Sequence, residues 1–492
     1  MAGIGFELNR LAQKDNLSGV VAALFHSAFA TAGPWLFTVI ALAVITYLYG
    51  EGTQVPADAK ILVGYGTNYN LELLHFRGII VYNFSFTLVL SAPIFMVMTR
   101  YLADQIHVKD VTAAPAVLFE TLFLTFLFNL PVGIFFYFIY FDLPLELRLV
   151  AFANMFLIAS TWLLAVFLTA LKDYVAITWA FVVGLSLAIA ISYFVADDYH
   201  ATGMLVGFNI GLAVIVFWLS ARILAEYPYK LTPNFSLKPY FKRYWELMLI
   251  GFFYNGAIWI DKWIMWFAPE ATLLMPSKMR FYPDYDSAMY LAYLAMVPSF
   301  AVFVFNVETQ FFNHYRRFYH QILEHASLAQ IRKLHKRITL SVTEGTRNLI
   351  LIQGAICMVA ILLAPQIFEA LNIFFLQLGM FRLGVLGVFF HALLLFGTII
   401  LQYFDCRKSI MWVYAYFFFS NAIFTLIVML FYGFQWYGYG YFMSSLTSFI
   451  LGAIVLFNHL RELQYHSFIT NNNSVKSHIE TTATKRHEEV WH

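Results

Sequence analysis

The chain has 492 residues, 61% of them hydrophobic and only 12% charged, with a formal net charge of +2. A soluble domain typically carries about twice that charged fraction, so the composition excludes a soluble enzyme, and no part reads as a nucleic-acid-binding surface. The two cysteines, Cys357 in an apolar run and Cys406 in a short Asp-Cys-Arg-Lys connector, argue against a disulfide framework or a metal site.

Apolar runs fill almost the whole sequence. The hydrocarbon core of a bilayer is ~30 Å thick and a helix rises ~1.5 Å per residue, so ~20 apolar residues cross it. Backbone amides in lipid must bond internally, which makes such runs helices. Twelve runs have this length: 17–49, 78–98, 117–140, 149–170, 174–195, 201–219, 247–266, 288–307, 349–368, 383–403, 410–432 and 440–457.

In chain order, Arg10 and Lys14 precede the first span, and Ala28-Phe29-Ala30 has the look of a signal-peptidase site. Apolar sequence continues to Tyr49, too far for a cleaved leader, so an uncleaved span is expected. It carries His26 and Gly33-Pro34; the second span carries Asn83 and Pro93, and the third Asn129 with Pro131 and Gly133. Proline removes a helix hydrogen bond and bends the helix. Gly33, Pro34, Pro131 and Pro298 are therefore hinge candidates, the alternative being static kinks.

After Leu219 comes a segment with Pro228, Pro233, Pro239 and five basic residues. It reads as a cytoplasmic linker, 220–246, between an N-terminal six-helix bundle, 1–219, and a C-terminal one, 247–465. No residue-level repeat relates the two halves. The segment 308–348 repeats Phe311, Phe312, Tyr315, Phe318, Tyr319 and Ile322 at helical spacing, with basic residues between them. That pattern suits a helical hairpin on the membrane surface facing anionic lipid, or a docking site for a cytoplasmic partner. The tail, 466–492, is polar and expected to be disordered.

An even number of spans puts both termini on one side. With that side cytoplasmic, 23 of the 30 Lys and Arg lie inside and 6 outside, with Lys262 within a span. Such a bias orients membrane proteins. The expected fold is thus all-α and integral to the membrane, twelve helices in two six-helix bundles around a central cavity.

Ionisable groups inside spans are costly, about 3 kcal/mol at the centre on insertion scales, and usually face a wet cavity or a partner. Asp261 and Lys262 sit in Trp259-Ile-Asp-Lys-Trp-Ile-Met-Trp266. Adjacent helix positions point about 100° apart and need not pair, so one can face the cavity while the other snorkels; alternatively, both are solvated at the outer surface, among interfacial tryptophans. Glu308, at the inner end of span eight, suits a gate or proton acceptor, or an ordinary helix-end carboxylate. His26 and His391 are titratable at depth, as relays or as packing residues. Asn83, Asn129, Asn154, Asn209, Asn255 and Gln353 either line a hydrophilic passage or bond between helices. The outer loop from Met279 to Ser287 mixes aromatics with carboxylates, which fits sugar recognition or an ordinary interfacial loop.

Catalytic signals are thin. There is no Walker sequence and no metal-ligand cluster, and no cofactor is expected. A membrane glycosyltransferase would need acidic residues on an outer loop, and the first loop, 50–77, offers Glu51, Asp58 and Glu72 without helix or strand context.

Several stretches resemble one family. They are Met1-Ala-Gly-Ile-Gly-Phe-Glu-Leu8, Ala32-Gly-Pro-Trp35, Ile258-Trp-Ile-Asp-Lys-Trp263, and Tyr285-Asp-Ser-Ala-Met-Tyr-Leu-Ala-Tyr293 leading to Val307-Glu-Thr309. The chain resembles, from residue 1 to about 465, the PelG family of inner-membrane Pel exopolysaccharide transporters. These belong with the polysaccharide flippases of the multidrug/oligosaccharidyl-lipid/polysaccharide exporter superfamily. The resemblance implies two six-helix bundles opening alternately to each side of a bacterial inner membrane. It implies an N-acetylhexosamine-rich cargo moved from cytoplasm to periplasm, a gradient of protons or sodium as driving force, a cytoplasmic glycosyltransferase partner, PelF, and membrane partners PelD and PelE. It supplies no site residues. On the residues themselves two further functions stay open: an integral-membrane glycosyltransferase or polymerase, and a scaffold that holds cytoplasmic synthesis enzymes on segment 308–348.

Overall fold

The computed structural model describes residues 33, 36–49, 60–62, 68–171, 173–230, 237–269, 272–370, 377–465 and 468. His26, Pro34 and nearly all of the polar tail lie outside the described residues.

Helix α1 covers Leu36–Tyr49. A short antiparallel ribbon follows, β1 (Lys60–Leu62) against β2 (Asn68–Asn70), with Lys60 opposite Asn70. It leads into α2 (Leu71–Val108), whose first turn is capped by the Asn70 side chain accepting from the Glu72 N–H. Next come α3 (Ala114–Ile134), prolonged by a π-helical turn at Phe135–Tyr140, and α4 (Leu145–Leu171). Helix α5 runs from Tyr174 to Glu226 but breaks at His200, where φ is 49° and ψ −126°.

The second half starts with a short α6 (Lys238–Arg243) and α7 (Trp245–Met265). A second ribbon pairs β3 (Leu273–Leu274) with β4 (Arg280–Phe281). Helices α8 (Pro283–Leu294) and α9 (Val297–Phe305) lead through a π-helical turn, Asn306–Phe311, into α10 (Phe312–Leu323). The last four long helices are α11 (Leu328–Ala370), α12 (Leu378–Tyr403), α13 (Arg407–Phe431) and α14 (Tyr439–Arg461).

Among the described residues, eight helices are long and apolar enough to cross a membrane: α2, α3 with its π turn, α4, α5, and α11 to α14. Helix α7 has spanning length, but Glu246, Asn255, Asp261 and Lys262 dilute its apolarity. The two ribbons depart from the all-α expectation. Both close short loops, where a few backbone bonds satisfy groups that no helix can take up.

The two runs expected at 174–195 and 201–219 are the arms of α5, folded back on each other at His200. Small residues let the arms touch. A Cβ added at Gly207 would lie 2.7 Å from Ser192 Cα, and one at Gly211 would lie 3.1 Å from Ala188 Cα. Glycines four apart are how membrane helices bring backbones into contact. The Ser192 hydroxyl donates to the Met204 carbonyl at 3.0 Å and ties the arms near their turn.

Span eight departs further from its expected form. It is not one kinked helix. Pro298 falls in the first turn of α9, where its missing N–H costs no bond, and Ala295 and Met296 form a turn between α8 and α9. Gln353 of α11 mends the break: its Nε2 donates to the Ala295 carbonyl at 3.2 Å, and its Oε1 accepts from the Ser299 hydroxyl. This is the usual way a broken helix survives at membrane depth. The 308–348 segment is a helical hairpin whose arms are α10, continuous with the π turn after α9, and the first turns of the 43-residue α11. It extends two long helices instead of lying apart from them.

Packing divides the helices. Helix α2 packs on α3, α4 and α5; in the other half α7 packs on α13, α13 on α14, α14 on α12, and α12 on α8 and α11. The main joint between the two sets is α2 against α7.

Glycine contact in α5 gives the first expected outcome. Gly207→Ala should lower the melting temperature of the purified protein, because overpacking costs about 1–3 kcal/mol. Gly397→Ala, whose added Cβ would meet only Leu456 Cδ2 at 3.7 Å, should leave it unchanged.

Candidate functional site

Asp261 and Lys262 lie in the last turns of α7, facing into the second half. Asp261 is 0% exposed and Lys262 5% exposed. They do pair: Lys262 Nζ stands 3.1 Å from both Asp261 oxygens. The flexible lysine stem curls back far enough to cancel the angle between neighbouring positions, and Nζ also donates to the Ile258 carbonyl at 2.9 Å. The pair is buried within the second half and not solvated at its surface.

Tyrosines enclose the pair. The Tyr285 hydroxyl of α8 donates to Asp261 Oδ2 at 2.9 Å. Lys262 Nζ lies 4.9 Å from the centre of the Tyr293 ring and 5.9 Å from that of Tyr441, within range of a cation–π attraction. Tyr441 shares a 2.8 Å hydrogen bond with His391 Nδ1. The His391 Nε2, the second oxygen of Asp286 and the Ser448 hydroxyl are buried without a hydrogen-bond partner among the described residues. Buried polar groups are normally satisfied, so these mark a polar interior able to take up water or a ligand's hydroxyls. Tyr254 of α7 stacks near Tyr414 at 4.9 Å, and Tyr414 bonds Thr398 at 2.7 Å, carrying the polar line further along the bundle.

At the end expected to face outward, Trp266 Nε1 donates to Asp286 Oδ2 at 2.9 Å and Gln377 Nε2 to Asp284 Oδ1 at 2.8 Å. Tyr282 and Tyr285 are fully buried. Neither ring of the 279–287 stretch at these two positions is open to solvent. The stretch is the strand and first helical turn that close the site.

The same α7 forms the joint with the first half. Phe86 of α2 stacks on Trp263 at 4.6 Å, and Tyr82 on Trp266 at 4.3 Å. The Tyr82 hydroxyl donates to the Arg280 carbonyl at 2.8 Å, and His75 Nε2 meets Ser277 Oγ at 3.0 Å. Deeper in, a Cβ at Gly251 would lie 2.8 Å from the Ala92 carbonyl oxygen. Along α2 and α7 this joint is close and largely aromatic, with two hydrogen bonds at its edge. The polar groups collect inside each half.

In the first half they form a closed chain. Tyr137 donates to Asn83 Oδ1 at 2.6 Å, Asn83 to Asn154 Oδ1 at 2.8 Å, Asn154 to Asn209 Oδ1 at 2.6 Å, and Asn209 to the Val150 carbonyl at 2.9 Å. Of the two roles weighed for Asn83, the structure displays the interhelical bond. Asn129 donates to Ser91 and to the Thr125 carbonyl, and half-buried Asn255 to the Gly251 carbonyl. Among hinge candidates, Gly33 is buried, Pro131 lies inside α3 just before the π turn, and Pro298 marks the α8–α9 break. Glu308 falls in the π turn of 306–311, with its side chain outside the described residues. Among the described residues no three His, Cys, Asp or Glu side chains converge as metal ligands.

Sequence reasoning missed Tyr285, Tyr293, Tyr441 and Asp286 as partners of the pair. The one available signal was the run of tyrosines at 282, 285, 290 and 293 beside an intramembrane carboxylate.

A family described as PelG, "Putative exopolysaccharide Exporter (EPS-E)", matches residues 1–468. No curated protein sequence matches the chain. Among solved structures, it is similar to an outward-facing multidrug resistance MATE family transporter of the MOP superfamily, at 14% identity and a TM-score of 0.62, over 93% of this chain and 98% of that one. It is similar to an inward-facing MATE family transporter at 13% identity and a TM-score of 0.59, over 80% and 92%. A MOP superfamily transporter from Pyrococcus furiosus aligns at 12% identity and a TM-score of 0.61, over 90% and 96%. At these identities the likeness establishes the fold alone, an all-α membrane architecture.

Removing one partner of a buried ion pair strands the other charge, at about 3–5 kcal/mol. Lys262→Met should accordingly unfold at much lower temperature than the unaltered protein. The double variant Asp261→Asn with Lys262→Met should recover most of that loss, as read by thermal unfolding in detergent.

Proposed function

The chain belongs to the PelG family of exopolysaccharide exporters, and from that premise we propose that it carries an N-acetylhexosamine-rich Pel polysaccharide from cytoplasm to periplasm across a bacterial inner membrane. Family and fold point to a transporter and not an enzyme. In this reading twelve helices form two six-helix bundles, 1–219 and 247–465, joined by 220–246, with both termini cytoplasmic. The glycan comes from the cytoplasmic glycosyltransferase PelF, and PelD and PelE hold the assembly at the membrane.

The observation that carries the mechanism is the position of the buried pair. Helix α7 holds Asp261 and Lys262 on one side and the joint with α2 on the other. Protonating Asp261 would remove the charge that Tyr285 and Lys262 hold. Lys262 would then lose its counter-ion in a low-dielectric site, where lone charges are costly, and α7 would repack. Repacking α7 loosens Trp263 and Trp266 from Phe86 and Tyr82. That links a proton, or a cation in its place, to opening between the halves. A membrane potential supplies ~2.3 kcal/mol per charge per 100 mV, comparable to the cost of such a rearrangement. Glu308, in a π turn of a kind often found at functional sites, is the second coupling carboxylate. A neutral N-acetylated chain needs hydroxyl and amide partners, and the tyrosine and serine groups of the second half are of that kind.

The test is secreted polymer from cells carrying Asp261→Asn or Glu308→Gln at unaltered protein levels. Export should fall in both, most in Asp261→Asn; normal export from both would end the coupling proposal. Purified protein incubated with a sugar donor alone should form no glycosidic bonds, and polymer in that assay would overturn the transporter reading itself.

A further inference from the structure

The hairpin of α10 and the start of α11 presents a basic groove that transport through the bundle does not use. Its apolar side is anchored: Tyr315 donates to the Tyr403 carbonyl at 2.8 Å, and His335 Nε2 meets the Leu460 carbonyl at 2.7 Å. Phe318 and Ile338 are fully buried between the arms. On the other side Arg316 and Arg317 of α10 face Lys333 and Arg337 of α11 across a cavity of about 550 Å³. Successive helical turns put these side chains on facing stripes, at i, i+4 spacing on α11.

Three features set this groove apart from an ordinary basic surface. First, no Asp or Glu lines it. Second, none of the four groove cations has an ion-pair partner among the described residues, so the cluster's charge is left uncompensated from within the chain. Within the groove His320 alone pairs, with Glu324 at the rim, 3.3 Å away. Third, the arms are braced, so the four charges are held together against their own repulsion. His314, beneath the groove, registers that field: burial and then the charges of Arg317 and Arg337 lower its pKa. A cavity of this size suits a small-molecule headgroup. Planar guanidiniums from one arm, with a lysine and an arginine from the other, match the oxygens of adjacent phosphates. Leu334 is the single apolar residue of the lining, and no Phe, Tyr or Trp ring is present there to stack on a base.

We propose that this groove is a binding site for a ligand carrying two phosphate groups, which clamps α10 to α11. The clamp acts on the helix break in α8–α9, because α11 also carries Gln353, whose amide mends that break. The inference stands independently of the transport reading. Two sources share the chemistry: a soluble diphosphate and the headgroup of a diphosphate lipid such as cardiolipin.

The experiment is thermal unfolding of the full-length protein at constant ionic strength. One arm adds inorganic pyrophosphate in detergent; the other compares nanodiscs of phosphatidylcholine with and without cardiolipin. Stabilisation is expected in at least one arm, with pyrophosphate assigning a soluble source and cardiolipin alone a lipid one. It should vanish in Arg317→Gln with Arg337→Gln, whose exposed side chains leave the fold intact, and persist in Arg461→Gln outside the groove. No stabilisation in either arm, or equal stabilisation in the groove variant, overturns the proposal.

Discussion

An ion pair sealed inside a bundle of apolar helices is the constraint around which this molecule is arranged. Asp261 is fully buried and Lys262 nearly so, and each charge is answered locally. The answer comes from four helices at once: the other member of the pair and the Ile258 carbonyl on α7, a hydroxyl from α8, and rings from α8 and α14, with His391 of α12 behind them. Such a cluster is stable only while every member stays in place. It is therefore sensitive to anything that changes a charge within it.

The two halves use polar groups differently. In the first half, the asparagine chain from Tyr137 to Val150 is neutral and ends on backbone, so it locks α2, α4 and α5 into one body. In the second half the network is charged and leaves acceptors and hydroxyls open at Asp286, His391 and Ser448. The neutral asparagine chain of the first half and the charged cluster of the second come together along α2 and α7, because Asn83 lies on α2 and Asp261 and Lys262 lie on α7.

Much of the architecture was legible because membrane helices announce themselves by length and apolarity. The runs at 117–140, 149–170, 383–403, 410–432 and 440–457 fall within helices α3 with its π turn, α4, α12, α13 and α14 with at most a residue of overhang. Hidden features came from other causes. The hairpin turn at His200 has no proline or glycine at its apex, so only the shortness of the gap hinted at it. The break before Pro298 looked like a kink, because a proline in a first turn and one in a helix interior read alike in sequence. The Asp261–Lys262 contact was missed because helix geometry fixes where a side chain starts, while a lysine stem decides where its charge ends. His391 and Tyr441 are separated by 50 residues, and nothing local connects them. The roles of Asn83 and Asn154 stayed open in the sequence because they rested on residue type alone. Type does not say which face of a helix a residue occupies, and Asn83 and Asn154 turned inward.

The central claim is that the charge state of the buried pair sets how α7 seats against α2. The direct measurement is the distance distribution between spin labels at Tyr140 and Tyr432, both exposed and on opposite halves, recorded in lipid nanodiscs for the unaltered protein and for Asp261→Asn. The account predicts a distribution displaced in Asp261→Asn relative to the unaltered protein. Identical distributions in the two proteins would contradict it.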